Sequence, residues 1–226
     1  ASILEEGGRD RRVEIAVLRA SGVLEANEGR FPEARELIAR AKAIAGELGD
    51  QVGAAAVLRD SAFVAMLADD PATAEAELRI GYESLERMSD FGHLASFAPD
   101  LGDALDAQGR YEEALLVSEI AEGIGIEGDV DANVRWRQLR AKALAHLGRL
   151  DEAEALAVEA VSVSARTDYL DLHAQALLAL TEVLRSAGRT TEAASAVRDA
   201  LNLYRRKGNL VTARRAEALL EELGGA

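Results

Sequence analysis

The sequence lacks cysteine altogether and is poor in proline and in aromatic residues. Its 226 residues include no cysteine, three prolines and 4% aromatic residues. The absence of cysteine excludes disulfide bonds, a thiol nucleophile and thiolate metal ligands, and it fits a protein of the reducing cytoplasm. So few prolines permit long helices, because proline removes a backbone donor and interrupts a helix. With aromatic residues scarce, alanine and leucine must supply most of the packing.

Basic charge is scarce as well. Lysine and arginine number 26 against 40 aspartate and glutamate residues, which gives a formal net charge of −14. An acidic surface repels phosphate backbones, so we expect no nucleic-acid partner. The sequence has no run that could span a bilayer, and its N-terminal residues lack the basic and apolar pattern of a signal peptide. We therefore expect a cytoplasmic protein without a membrane partner.

A short signature returns about every forty residues. It joins a Gly-Arg step to a following Glu-Ala step, with a residue that is often bulky directly after the arginine. Four full copies and one degenerate copy, the second in this order, occupy residues 29–34, 69–74, 109–114, 148–153 and 188–193. Their alanines are separated by 40, 40, 39 and 40 residues. A fixed period of this size predicts stacked helical repeats rather than a globular enzyme core.

Two further series keep the same rhythm. Aspartate or asparagine, which are preferred N-cap residues, recurs between repeats at Asp50, Asp90, Asp129, Asp168 and Asn209. A small residue precedes each signature by seven positions, at Gly22, Ala62, Gly102, Ala141 and Thr181. The first series predicts where each repeat begins, and the second predicts where neighbouring helices approach closely.

The fold predicted from these series is all-α. Each repeat contains a first and a second helix, and five such hairpins stack into a solenoid that forms a single domain over residues 1–226. The predicted repeats are 9–49, 50–89, 90–128, 129–167 and 168–208, and residues 1–8 are a frayed lead-in. The predicted helices are 9–28, 32–48, 51–68, 71–88, 91–108, 111–123, 130–147, 150–166, 169–187 and 190–206, followed by a capping helix at 210–223.

The small-residue step, the Gly-x-aromatic turn and the alanines of the second helix resemble the motif of the tetratricopeptide repeat (TPR) family. The period is longer than the roughly 34 residues of that motif, and in this it resembles the TPR-like region of maltose-regulator-type (MalT-like) activators. Residues 131–137, 167–173 and 204–209 resemble one group more closely. This group is the C-terminal TPR region of actinobacterial signalling proteins that carry an adenylate or guanylate cyclase domain and an ATPase domain. The resemblance implies a right-handed α-α superhelix and a regulatory segment of a larger protein.

The resemblance also implies a binding groove lined by the first helices. The inward positions that we assign to it are Arg19, Arg59, Phe63, Asp103, Asp106, Arg135, Gln138, Lys142 and Arg185. The main hypothesis is a noncatalytic scaffold that holds a peptide, a helix or a neighbouring domain of its parent protein. The alternative is a sensor of a small ligand. Apolar residues of 9–28 exposed at the end of the solenoid allow a weak homodimer beside the monomer.

No set of residues in the sequence predicts catalysis, a metal or a cofactor. His93, His146 and His173 each lack a ligand partner four residues away on the same helix. Asp100, Asp103 and Asp106 share one helix face, but no histidine is spaced along the sequence to complete a site with them, so we interpret them as an acidic patch. The glycine pattern at 123–128 follows a helix instead of a strand, which favours a loop over a dinucleotide site.

Trp136 is the single tryptophan, and Arg135, Arg137 and Arg140 surround it. Tryptophan and arginine are the residue types of binding hot spots, so this cluster could anchor a partner. Large aromatic side chains more often supply buried area between helices. We therefore favour a packing role for Trp136 over a role in binding.

Overall fold

A computed structural model describes residues 3–124 and 128–224, with side chains from residue 10 onward. These residues form helices only, and the eleven of them are α1 (Ile3–Glu28), α2 (Phe31–Leu48), α3 (Gln51–Leu67), α4 (Pro71–Arg87), α5 (Phe91–Asp106), α6 (Tyr111–Ile124), α7 (Val130–His146), α8 (Leu150–Ser164), α9 (Leu170–Ser186), α10 (Thr190–Lys207) and α11 (Leu210–Gly224). The predicted all-α class is confirmed. Among the described helices, none is both long and apolar enough to cross a lipid bilayer.

Most helix ends lie within two residues of their predicted positions. The main difference is at the N-terminus, where α1 begins at Ile3 and the predicted lead-in is helical from that residue onward. Leu4, Glu5 and Glu6 are good helix formers, which explains why this segment continues α1 despite the glycines that follow. Residues 1–2 of the predicted lead-in lie outside the described residues.

The chain divides into two compact units, Ala1–Phe91 and Gly92–Ala226. In the N-terminal unit, α1 packs against α2, α3 packs against α4, and the first helices α1 and α3 contact each other. In the C-terminal unit, α7 packs against α8 and α9 against α10, while α7 and α9 are neighbouring first helices. The last helix, α11, packs on α10 through Ala213 and Ala216. That the repeats form one domain stays a prediction.

The polar residues between repeats act as predicted at two helix starts and differently at a third. Asp50 accepts a hydrogen bond from the Gly53 N–H at 2.9 Å, and Asp129 accepts one from Ala132 at 3.0 Å. At α9, however, the residue that precedes the helix is Tyr169, so the prediction that Asp168 caps this helix is wrong. Thr167 Oγ1 accepts the Tyr169 N–H at 3.2 Å there and holds the turn instead.

Small side chains let the helices approach closely. The five signature alanines, at 34, 74, 114, 153 and 193, are all fully buried. Gly102 of α5 lies so near α7 that a Cβ on it would stand 2.0 Å from Leu139 Cδ2. At Gly102 the second series thus marks a close approach of neighbouring helices, as the sequence predicts. This approach brings the polar side chains of α5 and α7 within reach of each other.

Candidate binding site on the first helices

A network of ion pairs joins α5 to α7 in the C-terminal unit. Lys142 Nζ donates to Asp103 Oδ1 at 2.9 Å and to Asp106 Oδ2 at 3.0 Å. Arg135 donates to Asp100 and lies 3.7 Å from Asp103 Oδ2. The aspartates recur every three residues on α5 and the two cations are seven residues apart on α7, so both sets face each other along the helix pair. The structure thus pairs cations and carboxylates that the sequence only placed on the same surface.

Both cations of this network are largely buried, with side chains 12% (Arg135) and 18% (Lys142) exposed. Burial by itself lowers the pKa of Lys142, but Asp103 and Asp106 outweigh it and raise that pKa above its ordinary value. For Arg135, burial likewise acts to lower the pKa, and Asp100 and Asp103 raise it. Both groups therefore stay charged, and their charge is used within the fold.

Gln138 lies between these cations on α7 and is also buried. Its Nε2 donates to the backbone carbonyl of Leu172 on α9 at 3.2 Å. The amide thus links two neighbouring first helices. Its placement on the binding surface stays a prediction.

The network continues from α7 to α9 through His146. The imidazole Nε2 is in close contact with the Glu182 carboxylate, and the ring stacks on Tyr111 with centroids 4.0 Å apart and planes at 12°. One ligand atom each from Asp106, His146 and Glu182 lies within 4.8 Å of the other two. These partners are not visible along any single helix of the sequence, because they come from neighbouring repeats. A partial signal was present, since Asp106 and His146 are 40 residues apart, one more than the 39-residue step between these two repeats.

A cleft of about 550 Å³ opens beside His146 and Glu182, between α7, α9 and α11. Leu178 and Leu219 give it an apolar lining, and Arg185 and Ser186 lie at the end of α9. Arg185 is about half-exposed and stands 3.7 Å from Glu222 on α11. The cleft therefore combines a small apolar patch with a larger number of polar and charged side chains.

The N-terminal unit holds the other three predicted groove residues, Arg19, Arg59 and Phe63. Arg19 Nε donates to Asp60 of α3 at 2.5 Å, which repeats the pattern of a cation on one first helix paired with an aspartate on the next. Arg59 and Phe63 are partly buried on α3. That these three share one groove with the six residues of the C-terminal unit stays a prediction.

Trp136 is buried, as the packing interpretation predicts. The guanidinium groups of Arg137 and Arg140 lie 4.1 and 4.6 Å from the centre of its ring. Arg140 also donates to the side chain and the backbone carbonyl of Ser118 on α6, both at 3.1 Å. The cluster therefore ties α6 to α7. Residues 125–127 of the glycine pattern lie outside the described residues.

Residues 133–206 match a family model described as a tetratricopeptide repeat. The match supports the TPR family. It spans most of α7 to α10, which includes Arg135, Lys142, His146 and Glu182. No curated protein matches the sequence.

Solved TPR-like structures resemble the chain at low identity. PlcR of Bacillus thuringiensis, in complex with the peptide PapR7 and DNA, aligns with a TM-score of 0.66 and 16% identity over 97% of this chain and 76% of its own. Aspartyl phosphate phosphatase F from Bacillus subtilis aligns with a TM-score of 0.64 and 12% identity over 96% of this chain, which spans 61% of that protein. Repeats of a putative kinesin light chain from Podosopora anserina align with a TM-score of 0.61 and 16% identity, over 87% of this chain and 97% of their own. At these identities the likeness establishes a shared TPR-like helical fold.

Proposed function

We propose that this chain is a noncatalytic TPR module that binds a peptide, a helix or a neighbouring domain on its first helices. The observation that carries the proposal is the cleft of about 550 Å³ between α7, α9 and α11. TPR-like folds generally bind peptides and proteins, and the PlcR neighbour was solved with a peptide. The chain would then act by offering a binding surface to its partner.

The eleven helices are best explained as five TPR-like hairpins followed by α11 as a capping helix. Ala213 and Ala216, with Leu219, Leu220 and Leu223 beside them, cover the end of the C-terminal core from α11, while Arg214, Arg215, Glu217, Glu221 and Glu222 give that helix a polar face. A polar terminal helix is what a repeat array needs to end in solvent. The right-handed superhelix, the monomer or weak homodimer and the cytoplasmic location remain predictions.

The charges around the cleft indicate the chemistry of the partner. Arg135 and Lys142 are used within the fold, whereas Glu182 and Arg185 line the cleft and are partly exposed. A peptide that places an apolar side chain against Leu178 and Leu219 can meet Glu182 with a donor and Arg185 with an acceptor. An isolated ion would match only part of this surface, so a short protein segment fits it better.

The parent protein that we propose is a multidomain signalling protein of the actinobacterial cyclase and ATPase type, with this chain as its regulatory segment. Support comes from residues 131–137, 167–173 and 204–209, which resemble the C-terminal TPR region of that group. The alternative, a sensor of a small ligand, is favoured by the size of the cleft, which falls within the ~300–1,000 Å³ of ligand sites. The partner in the first case is another domain of the same polypeptide.

Selection from a peptide display library on the immobilised chain tests the binding function. We expect selected peptides to lose at least about tenfold in affinity when Ser186→Trp fills the cleft, because each ~1.4 kcal/mol of lost contact is a factor of ten. Ser162→Trp, at an exposed serine of α8, is the matched control and should bind like the unmodified chain. Peptides that bind both variants equally would contradict the cleft assignment. A metabolite that raises the melting temperature in a peptide-free screen would favour the sensor instead.

A further inference from the structure

We propose that Asp106, His146 and Glu182 form a binding site for a divalent transition metal ion of the zinc type. The three residues belong to three helices of the C-terminal unit, α5, α7 and α9. Each offers one ligand atom, and the three atoms lie within 4.8 Å of one another. Imidazole nitrogen and carboxylate oxygen are ligands that zinc accepts together, with a fourth position left for water.

Asp106 supplies the independent observation that points to a ligand. Its side chain is only 9% exposed, and Oδ2 accepts the hydrogen bond from Lys142. The second oxygen, Oδ1, is buried and has no hydrogen-bond partner among the described residues. An unsatisfied buried acceptor is unfavourable, and it costs more when the group is charged. A metal ion bound to Oδ1 would satisfy that oxygen while Lys142 keeps the other.

His146 is held in place by its neighbours. Its ring lies parallel to the Tyr111 ring at 4.0 Å, so the stack fixes the plane of the imidazole. Nε2 is the nitrogen that meets Glu182, and a metal bound there would displace the proton that Nε2 shares with the carboxylate, as metal binding to histidine generally does. The ring is therefore oriented before a metal arrives, which lowers the cost of binding.

The local charge favours a dication. The network contains four carboxylates, from Asp100, Asp103, Asp106 and Glu182, and two cations, from Arg135 and Lys142. Among these six side chains, two negative charges remain uncompensated. A metal bound through Oδ1 of Asp106 would not compete with Lys142, which contacts Oδ2. A divalent ion would bring the network to neutrality.

The geometry needs only small side-chain movements. Zinc binds nitrogen and oxygen at about 2.0–2.2 Å, so tetrahedral ligand atoms stand about 3.4 Å apart. The ligand atoms of His146 and Glu182 must therefore move slightly apart. The other pairs of ligand atoms lie at most 4.8 Å apart, so they must approach by no more than about 1.4 Å. His146 and Glu182 both border the cleft, so water can reach the fourth position. Calcium and magnesium fit less well because they prefer all-oxygen ligand sets.

Calorimetric titration of the untagged, chelator-treated chain with zinc chloride tests the site. We expect one zinc per chain, and at least about tenfold weaker binding in His146→Ala and in Glu182→Gln, because each removes a ligand. Asp106→Asn should weaken binding as well, and thermal unfolding establishes that each variant is folded. His93→Ala, at an exposed histidine of α5, is the matched control and should bind zinc like the unmodified chain.

A second readout locates the metal. The sequence has three histidines, so the imidazole nitrogen NMR spectrum reports each ring separately, and zinc should shift the His146 resonances. Magnesium chloride should leave them unchanged. Absence of zinc binding, or zinc binding that the folded His146→Ala and Glu182→Gln variants retain in full, would overturn the proposal. Neither result bears on the peptide experiment, which is done without metal.

Discussion

Asp103 and Lys142 hold the same position in neighbouring repeats, six residues before the turn glycine, and their side chains are joined at 2.9 Å. Glu182 holds that position in the next repeat, so negative, positive and negative groups follow one another along the first helices. Stacked repeats place equivalent residues side by side. The alternation therefore neutralises charge between repeats and fixes which helix faces meet.

Removal of the Lys142 charge should destabilise the chain. Lys142→Met leaves Asp106 without its cation and Asp103 with Arg135 alone, at 3.7 Å. We expect the free energy of unfolding to fall by about 2 kcal/mol, below the ~3–5 kcal/mol of a fully buried pair. Chemical denaturation measures the change. Lys42→Met, which breaks the exposed pair with Glu77, is the control and should cost under about 1 kcal/mol. Equal losses in the two variants would contradict the structural role of Lys142.

A methyl group at position 102 should separate α5 from α7. In Gly102→Ala the new Cβ would meet Leu139 Cδ2 at 2.0 Å, so we expect a loss of about 1–3 kcal/mol of stability from overpacking. Gly46→Ala is the matched control in α2, where the added Cβ meets no atom within 4 Å. That change should instead stabilise the chain by about 0.5–1 kcal/mol, because alanine is the better helix former. If both substitutions changed the stability in the same direction, overpacking between α5 and α7 would not be the explanation.

The turn at Ser89 carries backbone strain that glycine would relieve. Ser89 has φ of 55°, in the left-handed region, at a position where Gly49 in the preceding repeat has φ of 62°. We expect Ser89→Gly to raise the free energy of unfolding by about 0.5–1 kcal/mol. This is a net gain, because glycine relieves the backbone strain but also increases the entropy of the unfolded chain. Gly49→Ser is the reverse experiment and should lower it by a similar amount. No gain in Ser89→Gly would show that local contacts offset the strain.

Acidification should weaken the C-terminal unit partly through His173. Burial lowers the pKa of His173 and Asp199 partly opposes this, with Ser164 Oγ at 3.0 Å from Nδ1. A lowered folded-state pKa means that the unfolded chain binds the proton more readily, so stability is lost as pH falls below about 6.5. We expect His173→Gln to lose less stability than the unmodified chain between about pH 7.5 and pH 5.5. Gln175→Asn, on the same helix, should follow the unmodified chain, and an identical pH dependence in His173→Gln would contradict the assignment.

The sequence predicts helix positions well because glycine and aspartate mark the turns. Gly49 and Asp50 end one helix and begin the next by backbone conformation and capping, which are local effects. In the second repeat, Asp69 and Ser89 replace the turn glycines, so these turns can be predicted only from the fixed period. At α9 the capping prediction is wrong because Thr167 and Asp168 compete as turn residues, and the hydroxyl of Thr167 supplies the hydrogen bond.

The candidate site could be predicted only in part. Aligned positions one repeat apart place Asp103 beside Lys142, and that step needs only the period. The meeting of Asp106, His146 and Glu182 depends on side-chain directions across three helices, which the repeat pattern does not determine. The burial of Gln138 likewise follows from its contact with the backbone of α9, and no residue pattern reports that contact.

We expect a peptide to bind in the cleft between α7, α9 and α11. Paramagnetic NMR can locate the bound peptide, with a spin label attached to one end of a display-selected peptide. We expect the label to broaden amide signals of residues that line the cleft, including Leu178, Glu182 and Leu219, and to leave those of Ser162 and Glu159 on α8 unaffected. Broadening centred on α8 or α10, with the cleft residues unchanged, would contradict peptide binding in the cleft.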